Sequence, residues 1–417
     1  MSNNKFLPVL GWFICFLAAV FYSYDFFIRV APSVMIGELQ DAFKIDSATI
    51  GFLSAGYFYA YIVFQIPAGI ILDKYNRKIV ISGAMFLCIL GNLLFSIAPD
   101  YWVAYVGRLL MGVGSAFGFI GAAKLASMWL PNRFFSFFIG FTTVLGLMGG
   151  FVTDTILENF VQDFGWREGN NVFTYIGLGI FVFMLIFIKD NKHNLDAVAK
   201  STKTLWGQVK ELSVIVKNFK FWSISILSGT LFIPINVLAS LWGVGFIQAK
   251  FGISSSSAAQ LNSMLFIGNA IGCVIISIVS TYTTRYRLML LWSCILLVVI
   301  STIAIYVPMP LWLFTVLFVL MGVAVGPQLL TFGCGKAVCP KDATATAVAG
   351  VNMVNNLVGA ILLPLFGWLL AVNATEVLSA GSVTHSLTDY YYAMSMVPIL
   401  MLLSIPLCLV LPKYMDE

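Results

Sequence analysis

Long apolar stretches recur along the whole chain, and each approaches the roughly 20 residues that a helix needs to cross a bilayer. Inside lipid every backbone N–H and C=O group must find a partner within its own segment, so these stretches predict helices. Only 10% of the residues are charged, against about 25% in a typical soluble domain. We therefore expect an all-α polytopic membrane protein with twelve spans, near residues 7–31, 49–72, 79–97, 102–129, 134–154, 171–188, 221–248, 257–281, 288–306, 311–334, 344–371 and 390–411.

Basic residues indicate how the spans are oriented. With the N-terminus inside, seventeen lysines and arginines fall in cytoplasmic segments and three, Lys44, Arg167 and Lys250, fall in external loops. This bias follows the positive-inside rule and predicts that both termini are cytoplasmic. The net charge of +5 is thus a topology signal, and no nucleic-acid partner is expected. Acidic residues, Asp154 and Glu158 among them, are assigned to the external side.

The chain matches itself at an offset of 210 residues, close to half its length. An offset shared by motifs in equivalent loops and spans indicates an internal repeat. The repeat predicts an N-terminal six-helix bundle at 1–188, a lysine-rich cytoplasmic linker at 189–220 and a C-terminal six-helix bundle at 221–417. Parallel repeats of this kind place a substrate site near the bilayer midplane at their interface. The matched positions are Leu110 to Val113 with Leu320 to Val323, Arg77 with Arg287, Gly140 with Gly350, and Gly149 with Gly359.

Cysteine and histidine positions give no sign of metal or redox chemistry. The seven cysteines lie in apolar runs or near their ends without a C-x-x-C pair, so we expect small buried side chains, no metal site and no cofactor. His193 and His385 fall in polar connections and are expected to be solvated. The sequence contains no H-E-x-x-H motif and no G-x-S-x-G elbow, so an enzyme is not expected.

The connection between the second and third spans reads Gly69-Ile70-Ile71-Leu72-Asp73-Lys74-Tyr75-Asn76-Arg77-Lys78. It resembles the signature loop of the major facilitator superfamily, G-x-x-x-D-[RK]-x-G-[RK]-[RK], and departs from it where Asn76 replaces glycine. Asparagine tolerates left-handed backbone geometry, so we expect the turn to be preserved. The resemblance implies twelve transmembrane helices in two pseudo-symmetric six-helix bundles. It also implies a cytoplasmic conformational latch, to which we assign Gly69, Asp73, Arg77, Lys78 and Arg287.

Further motifs are similar to the same superfamily. The fourth span contains Arg108-Leu109-Leu110-Met111-Gly112-Val113-Gly114, which looks like R-x-x-x-G-x-G. The fifth span reads Leu145-Gly146-Leu147-Met148-Gly149-Gly150, without the proline of the G-P-x-x-G-G motif that many drug antiporters of the superfamily carry. That difference favours uptake over efflux. The first span, from Tyr22 to Arg29, resembles those of organic-anion and metabolite symporters.

Charged side chains inside the membrane cost about 2.5 to 3.5 kcal/mol on insertion scales, so each suggests a function. The candidates are Asp25, Arg29, Arg108 and Lys124. Asp25 and Arg29 are spaced i, i+4 and share a helix face. They either pair with each other, or Arg29 faces a cavity and binds a substrate carboxylate or phosphate. Arg108 is predicted to belong to that site, whereas Lys124 lies near a span end and can snorkel to water.

Polar and aromatic residues within the spans supply the remaining candidates. Tyr57, Tyr61 and Gln65 fall four apart on one face of the second span. In the second half, amides and a tryptophan interrupt the apolar runs, and such residues either hold helices together or bind ligand. These are Asn236, Trp242, Asn269, Gln328, Asn352, Asn355 and Asn356.

The charges of Asp25, Arg29 and Arg108 sum to one positive charge, which favours an anionic or zwitterionic solute. We expect an alternating-access importer of a small metabolite, such as an amino acid, a small peptide or an organic acid, coupled to protons through Asp25. It would act as a monomer in a bacterial inner membrane, with the solute, protons and lipid as its partners. The alternatives are proton-driven efflux of a drug or siderophore, and a non-transporting sensor or intramembrane enzyme.

Overall fold

The structure is a computed structural model, and it describes residues 6–189, 217–339, 344–373 and 385–411. Within these ranges twelve helical segments are long and apolar enough to cross a membrane. The prediction of an all-α protein with twelve spans is confirmed. The spans, numbered 1 to 12, are Val9–Val34, Ser47–Leu72, Arg77–Ser96, Tyr101–Trp129, Phe137–Phe164, Trp166–Phe187, Phe219–Phe251, Ser255–Tyr282, Tyr286–Tyr306, Leu311–Ala337, Ala347–Val372 and Leu387–Val410.

Half of the spans are single α-helices, and the others contain a break. The continuous helices are Ser47–Lys74, Arg77–Ser96, Trp166–Phe187, Ser255–Tyr282, Tyr286–Tyr306 and Thr344–Asn373. Two of the breaks contain a π segment, and short π segments inside α-helices are frequent at functional sites. The broken spans are Phe6–Val30 with Ala31–Val34; Tyr101–Ser115 with Gly118–Trp129; Asn132–Val152, the π segment Thr153–Leu157 and Glu158–Phe164; Phe219–Leu231, the π segment Pro234–Trp242 and Gly243–Phe251; Leu311–Val325, Gly326–Leu329 and Leu330–Ala337; and Leu387–Met394 with Met396–Val410.

The two ends of the molecule differ in charge. We call the end that carries the loop between spans 2 and 3 the basic end, and the opposite end, which carries the short helix Ile36–Phe43, the acidic end. Aspartates cap helices that start at the acidic end. Asp46 accepts a hydrogen bond from Thr49 N at 2.9 Å, and Asp100 accepts one from Trp102 N at 2.8 Å. Such caps satisfy backbone donors at the first turn and fix where spans 2 and 4 begin.

Matched glycines of the sequence repeat occupy equivalent helix crossings. A Cβ atom on Gly112 of span 4 would collide with the backbone carbonyl of Tyr57 in span 2. A Cβ atom on Gly322 of span 10 would collide in the same way with the carbonyl of Leu265 in span 8. Close backbone approach through small residues is typical of helix packing in membranes. The same close contact at a glycine in both crossings is expected of two pseudo-symmetric bundles.

Three local expectations differ from the structure. Span 5 runs to Phe164, ten residues beyond the predicted end, so Asp154 lies inside the span and is buried. Asn76 has φ −60° and caps the helix that begins at Arg77, so the left-handed turn we expected is wrong. Its side chain accepts a hydrogen bond from Ile79 N at 3.3 Å instead. His385 is half-buried and bonded rather than solvated; His193 and most of the predicted linker lie outside the described residues.

Candidate functional site

A cavity of about 710 Å³ lies between the two bundles. It extends from the middle of the spans towards the basic end, where Gly69 of span 2 and Ser277 of span 8 line it. Of the predicted site residues, eight line this cavity and five do not. The lining residues are Arg29, Tyr61, Gln65, Asn269, Gln328, Asn352, Asn355 and Asn356, and the others are Asp25, Tyr57, Arg108, Asn236 and Trp242.

Arg29 is the single charged side chain among the described residues that line the cavity. Its Nη2 atom donates to Asn236 Oδ1 at 2.5 Å and to Asn356 Oδ1 at 3.2 Å. Both asparagines belong to the C-terminal bundle, so Arg29 bridges the two bundles. The guanidinium also lies 4.6 Å from the centroid of the Phe58 ring. Two neutral amide oxygens therefore accept from a guanidinium, a group whose donors also suit the oxygens of carboxylates and phosphates.

Asp25 lies one turn before Arg29, behind the cavity wall, and is fully buried. Its Oδ1 atom accepts a hydrogen bond from the Tyr57 hydroxyl, and its buried Oδ2 atom has no hydrogen-bond partner among the described residues. Arg29 lines the cavity, as the second of the two sequence alternatives for this pair requires, whereas Asp25 bonds Tyr57. Tyr57 stacks on Tyr61 with centroids 6.0 Å apart. Tyr61 lines the cavity, so two stacked phenol rings connect Asp25 to it.

Arg108 lies outside the cavity lining and is fully buried among spans 1, 2 and 4. Its Nη1 atom donates to the backbone carbonyl of Ile28 at 2.6 Å. In a regular α-helix that carbonyl would accept from residue 32, but Pro32 has no N–H group. Nη2 reaches the carbonyls of Arg29 and Ser54, both at 3.3 Å. Arg108 thus satisfies the carbonyl that Pro32 leaves free and holds the backbone of Arg29 in place.

Amide side chains form most of the polar wall contributed by the C-terminal bundle. Asn352 Nδ2 donates to the Tyr61 hydroxyl at 3.3 Å, and Gln328 Nε2 donates to Ser228 Oγ at 2.7 Å. The buried Oδ1 atom of Asn355 has no hydrogen-bond partner among the described residues. Amides both donate and accept hydrogen bonds, so this wall can bind hydroxyl and carbonyl groups of a solute.

Two predicted residues of span 7 lie behind this wall. Asn236 lies on the π segment Pro234–Trp242, and its Nδ2 atom donates to the carbonyl of Asn355 at 3.3 Å. Trp242 donates from Nε1 to the carbonyl of Leu363 at 3.2 Å and stacks on Phe366. Asn236 therefore touches the site through Arg29, whereas Trp242 packs span 7 against span 11.

The acidic end is closed by contacts between the bundles. A Cβ atom on Gly51 of span 2 would come within 2.6 Å of the Leu363 carbonyl in span 11. Ser47 Oγ lies 2.5 Å from His385 Nε2, and Tyr59 donates to the Ala360 carbonyl at 3.3 Å. Burial lowers the pKa of His385, and the nearby charge of Asp389 opposes this change. The cavity extends towards the opposite, basic end. This conformation is therefore closed at the acidic end and open at the basic end.

Sequence reasoning missed one further polar contact between the bundles. Asp154, which we assigned to the external side, bonds Ser33 and Asn262 deep in the acidic half. The only sequence signal was that Asp154 directly follows a long apolar run, since the π segment on which it lies is visible only in the structure. Its ten following residues contain further charges, and these suggested a loop.

The predicted latch residues lie at the basic end. Gly69 lines the cavity, and Arg77 is buried at the first turn of span 3. Lys78 and Arg287 lie in the first turns of spans 3 and 9 and are partly exposed. Asp73 is in the last turn of the helix Ser47–Lys74, but its side chain lies outside what the structure describes.

Several curated relatives of the chain are named as transporters. It is 23% identical over 184 residues to the probable galactarate/D-glucarate transporter GudP of Bacillus subtilis (strain 168), covering 43% of this chain and 40% of the relative. It is 22% identical over 294 residues to the hexuronate transporter of the same organism, covering 68% of this chain and 67% of the relative. With several curated relatives the similarity spans only about two fifths of their length.

Comparison with solved structures supports the fold. A bacterial homolog of the human lysosomal transporter Spinster, in an inward-facing and occupied conformation, superposes with a TM-score of 0.75 at 15% identity. The match covers 95% of this chain and 96% of that chain. The family model described as Major Facilitator Superfamily matches residues 15–364, which is most of the sequence. The chain therefore belongs to the Major Facilitator Superfamily.

Proposed function

We propose that this protein is a secondary active transporter that imports a small organic anion by alternating access. The observation that carries the proposal is the environment of Arg29, a cation that lines the cavity and donates to neutral amides of the opposite bundle. A guanidinium presents donors in a geometry that suits carboxylate groups. An entering carboxylate would replace the amide oxygens and add the attraction of opposite charges to the hydrogen bonds of Arg29.

The amide wall supports a hydroxylated organic acid over an apolar one. Asn269, Gln328 and Asn352 line the cavity opposite Arg29, and each can donate to or accept from hydroxyl groups. The relatives named for galactarate, D-glucarate and hexuronate carry acids of this kind. Among amino acids, small peptides and organic acids, we propose the organic acids as the substrate class.

Proton coupling is assigned to Asp25. The carboxyl group is buried, accepts from Tyr57 and lies one turn from Arg29 on the same helix. The positive charge of Arg29 favours the ionised carboxylate, and an anion bound to Arg29 weakens that effect. Binding of substrate therefore favours protonation of Asp25, and release of substrate favours loss of the proton. Substrate and proton then move together.

Import follows from coupling to protons that move inward down their gradient, together with a cytoplasmic position of the basic end. The seventeen basic residues assigned to the cytoplasmic side support a cytoplasmic position of the basic end by the positive-inside rule. The conformation described here would then be the one that releases solute to the cytoplasm. In a bacterium the protein would lie in the inner membrane, and we propose that a single chain forms the complete path.

The test is uptake into proteoliposomes with an imposed inward proton gradient. D-glucarate, D-glucuronate, a neutral hexose, an amino acid and a dipeptide are offered separately. We expect concentrative uptake of the sugar acids, abolished by Arg29→Gln and unchanged by Lys220→Gln, which removes an exposed cation outside the cavity. Asp25→Asn should abolish concentrative uptake and keep counterflow exchange. Normal uptake by Arg29→Gln would refute the site, and proton-driven expulsion of a hydrophobic drug would favour efflux.

A further inference from the structure

Asp154 joins the two bundles at a point outside the cavity. It lies on the π segment Thr153–Leu157 of span 5 and is fully buried. Ser33 Oγ donates to its Oδ1 atom at 2.9 Å, and Asn262 Nδ2 donates to its Oδ2 atom at 2.7 Å. Ser33 belongs to span 1 and Asn262 to span 8, so the carboxyl group connects the N-terminal bundle to the C-terminal bundle.

The partner from the C-terminal bundle is itself fixed in orientation. The same Nδ2 atom of Asn262 also donates to the carbonyl of Ala239 in span 7 at 3.0 Å. Both hydrogens of the amide are therefore in use, one within the C-terminal bundle and one across the contact. Asn262 presents a neutral donor to Asp154, and its orientation depends on spans 7 and 8 staying together.

Among the described residues, the groups that bond Asp154 are neutral, and its charged neighbours do not include a cation that pairs with it. The helices packed against its π segment are span 1, span 8 and the rest of span 5. Span 8 has no charged residue between Ser255 and Tyr282. The charges of span 1 are Asp25 and Arg29, and their side chains bond Tyr57 and the two asparagines. Within span 5 the neighbour is Glu158, a buried acid bonded to Gln162.

A buried carboxylate without a cation is costly, and two neutral donors only partly offset the loss of hydration. A neutral carboxyl group avoids this cost and keeps both contacts, because Ser33 Oγ can accept the added proton. If the bundles part at the acidic end, water reaches Asp154 and the carboxylate becomes favourable. Closure of this end is thus coupled to uptake of one proton by Asp154.

We propose that Asp154 is a second proton-binding site, whose occupancy stabilises closure of the acidic end. The proposal deepens the proposed function and rests on its alternating-access cycle. In the conformation open at the basic end, Asp154 lies outside the cavity lining. Its proton therefore returns to the acidic side when that end reopens. Asp154 determines how closure of the acidic end depends on the pH on that side, whereas Asp25 carries the proton that crosses the membrane.

The test measures opening and closure of the acidic end directly and needs no substrate. Spin labels are placed at Asp163→Cys in the N-terminal bundle and Pro308→Cys in the C-terminal bundle, two positions exposed at the acidic end. The background carries Cys339→Ser, which removes a half-buried native thiol, and His385→Gln, which removes a group that titrates at the same end. Pulsed EPR distances are recorded in lipid nanodiscs from pH 5.5 to pH 8.5, a range of about one and a half units on each side of neutrality.

We expect a short distance at low pH and growth of a longer distance as the pH rises. Asp154→Asn is neutral at every pH and should lose this shift, keeping the short distance throughout. Glu158→Gln and Asp25→Asn should retain the shift. The proposal is overturned if Asp154→Asn responds to pH like its parent, if Asp25→Asn or Glu158→Gln abolishes the response, or if the parent shows none. Since no solute is present, failure here leaves the organic-anion proposal untouched.

Discussion

Arg29 Nη2 and Asn236 Oδ1 lie 2.5 Å apart although 207 residues separate them in the chain. The bond links the cavity-lining cation of the N-terminal bundle to an asparagine that lies behind the amide wall of the C-terminal bundle. Because Asn236 lies on a π segment, the backbone of span 7 is locally widened where its side chain reaches Arg29. An acceptor from the protein thus takes a place on the guanidinium that a substrate carboxylate would need.

Asn236→Asp should therefore compete with the substrate. A carboxylate at this position pairs with Arg29 within the protein, and we expect KM for a sugar acid to rise at least about tenfold, which equals about 1.4 kcal/mol. Asn236→Ala, which removes the acceptor, should leave KM unchanged or lower it. KM is measured by counterflow, and Gln328→Glu is the control, since Gln328 lines the cavity but bonds Ser228. An equal rise in KM for both acidic variants would indicate general charge repulsion and not competition for Arg29.

Arg108→Leu should destabilise the protein and weaken substrate binding through Arg29. The substitution leaves three backbone carbonyls without their charged donor, and we expect a loss of at least about 2 kcal/mol. Thermal unfolding of purified protein in detergent measures the first effect. Arg108→Lys keeps the charge and should recover part of the stability. If KM rises in Arg108→Lys at near-normal stability, Arg108 positions Arg29; an unchanged KM would limit it to a structural role.

Gly112→Ala should cost stability because span 4 touches the backbone of span 2 at this glycine. Overpacking of a tight contact costs typically about 1 to 3 kcal/mol. Gly83→Ala is the matched control, because no atom lies within 4 Å of the position that its Cβ would take. Alanine in that exposed helix position should leave the unfolding temperature unchanged or raise it. A tolerated Gly112→Ala would mean that the two helices separate at little cost.

His385 should make the stability of the closed acidic end depend on pH. Burial lowers the pKa of His385 in the folded protein, so the unfolded chain binds its proton more readily. This contribution to stability is complete above the ordinary histidine pKa of about 6.5 and is lost as the pH falls from there through the lowered folded pKa. Unfolding temperatures recorded from pH 8 downward should fall more steeply in the parent than in His385→Asn.

Ser47→Ala provides the control for that measurement. It removes the hydroxyl bonded to His385 Nε2 but leaves the imidazole half-buried. We expect a lower unfolding temperature at every pH with the same slope below about pH 6.5. A slope that disappears in Ser47→Ala as well would assign the effect to the hydrogen bond and not to burial.

The number of spans and their helical structure could be predicted from the sequence, because backbone groups in lipid must form their hydrogen bonds within the segment. Twelve apolar runs had to become helices, and the repeated Leu-Met-Gly-Val motif indicated two equivalent crossings that Gly112 and Gly322 indeed form. The loop at Gly69 to Lys78 was sufficient to indicate the family. These features depend on local composition and spacing, which the chain carries in its linear order.

Which way each polar side chain faces was decided by tertiary structure. Arg29 and Arg108 carry the same charge inside apolar spans, yet one lines the cavity and the other binds carbonyls near Pro32. Asp154 and Asn262 are 108 residues apart, so nothing in the local sequence of either predicted their contact. The sequence by itself determined that twelve apolar stretches form helices, because hydrogen bonding of backbone groups in lipid is a local requirement. Only the packing of the two bundles decides which of these polar side chains meet each other and which meet the solute.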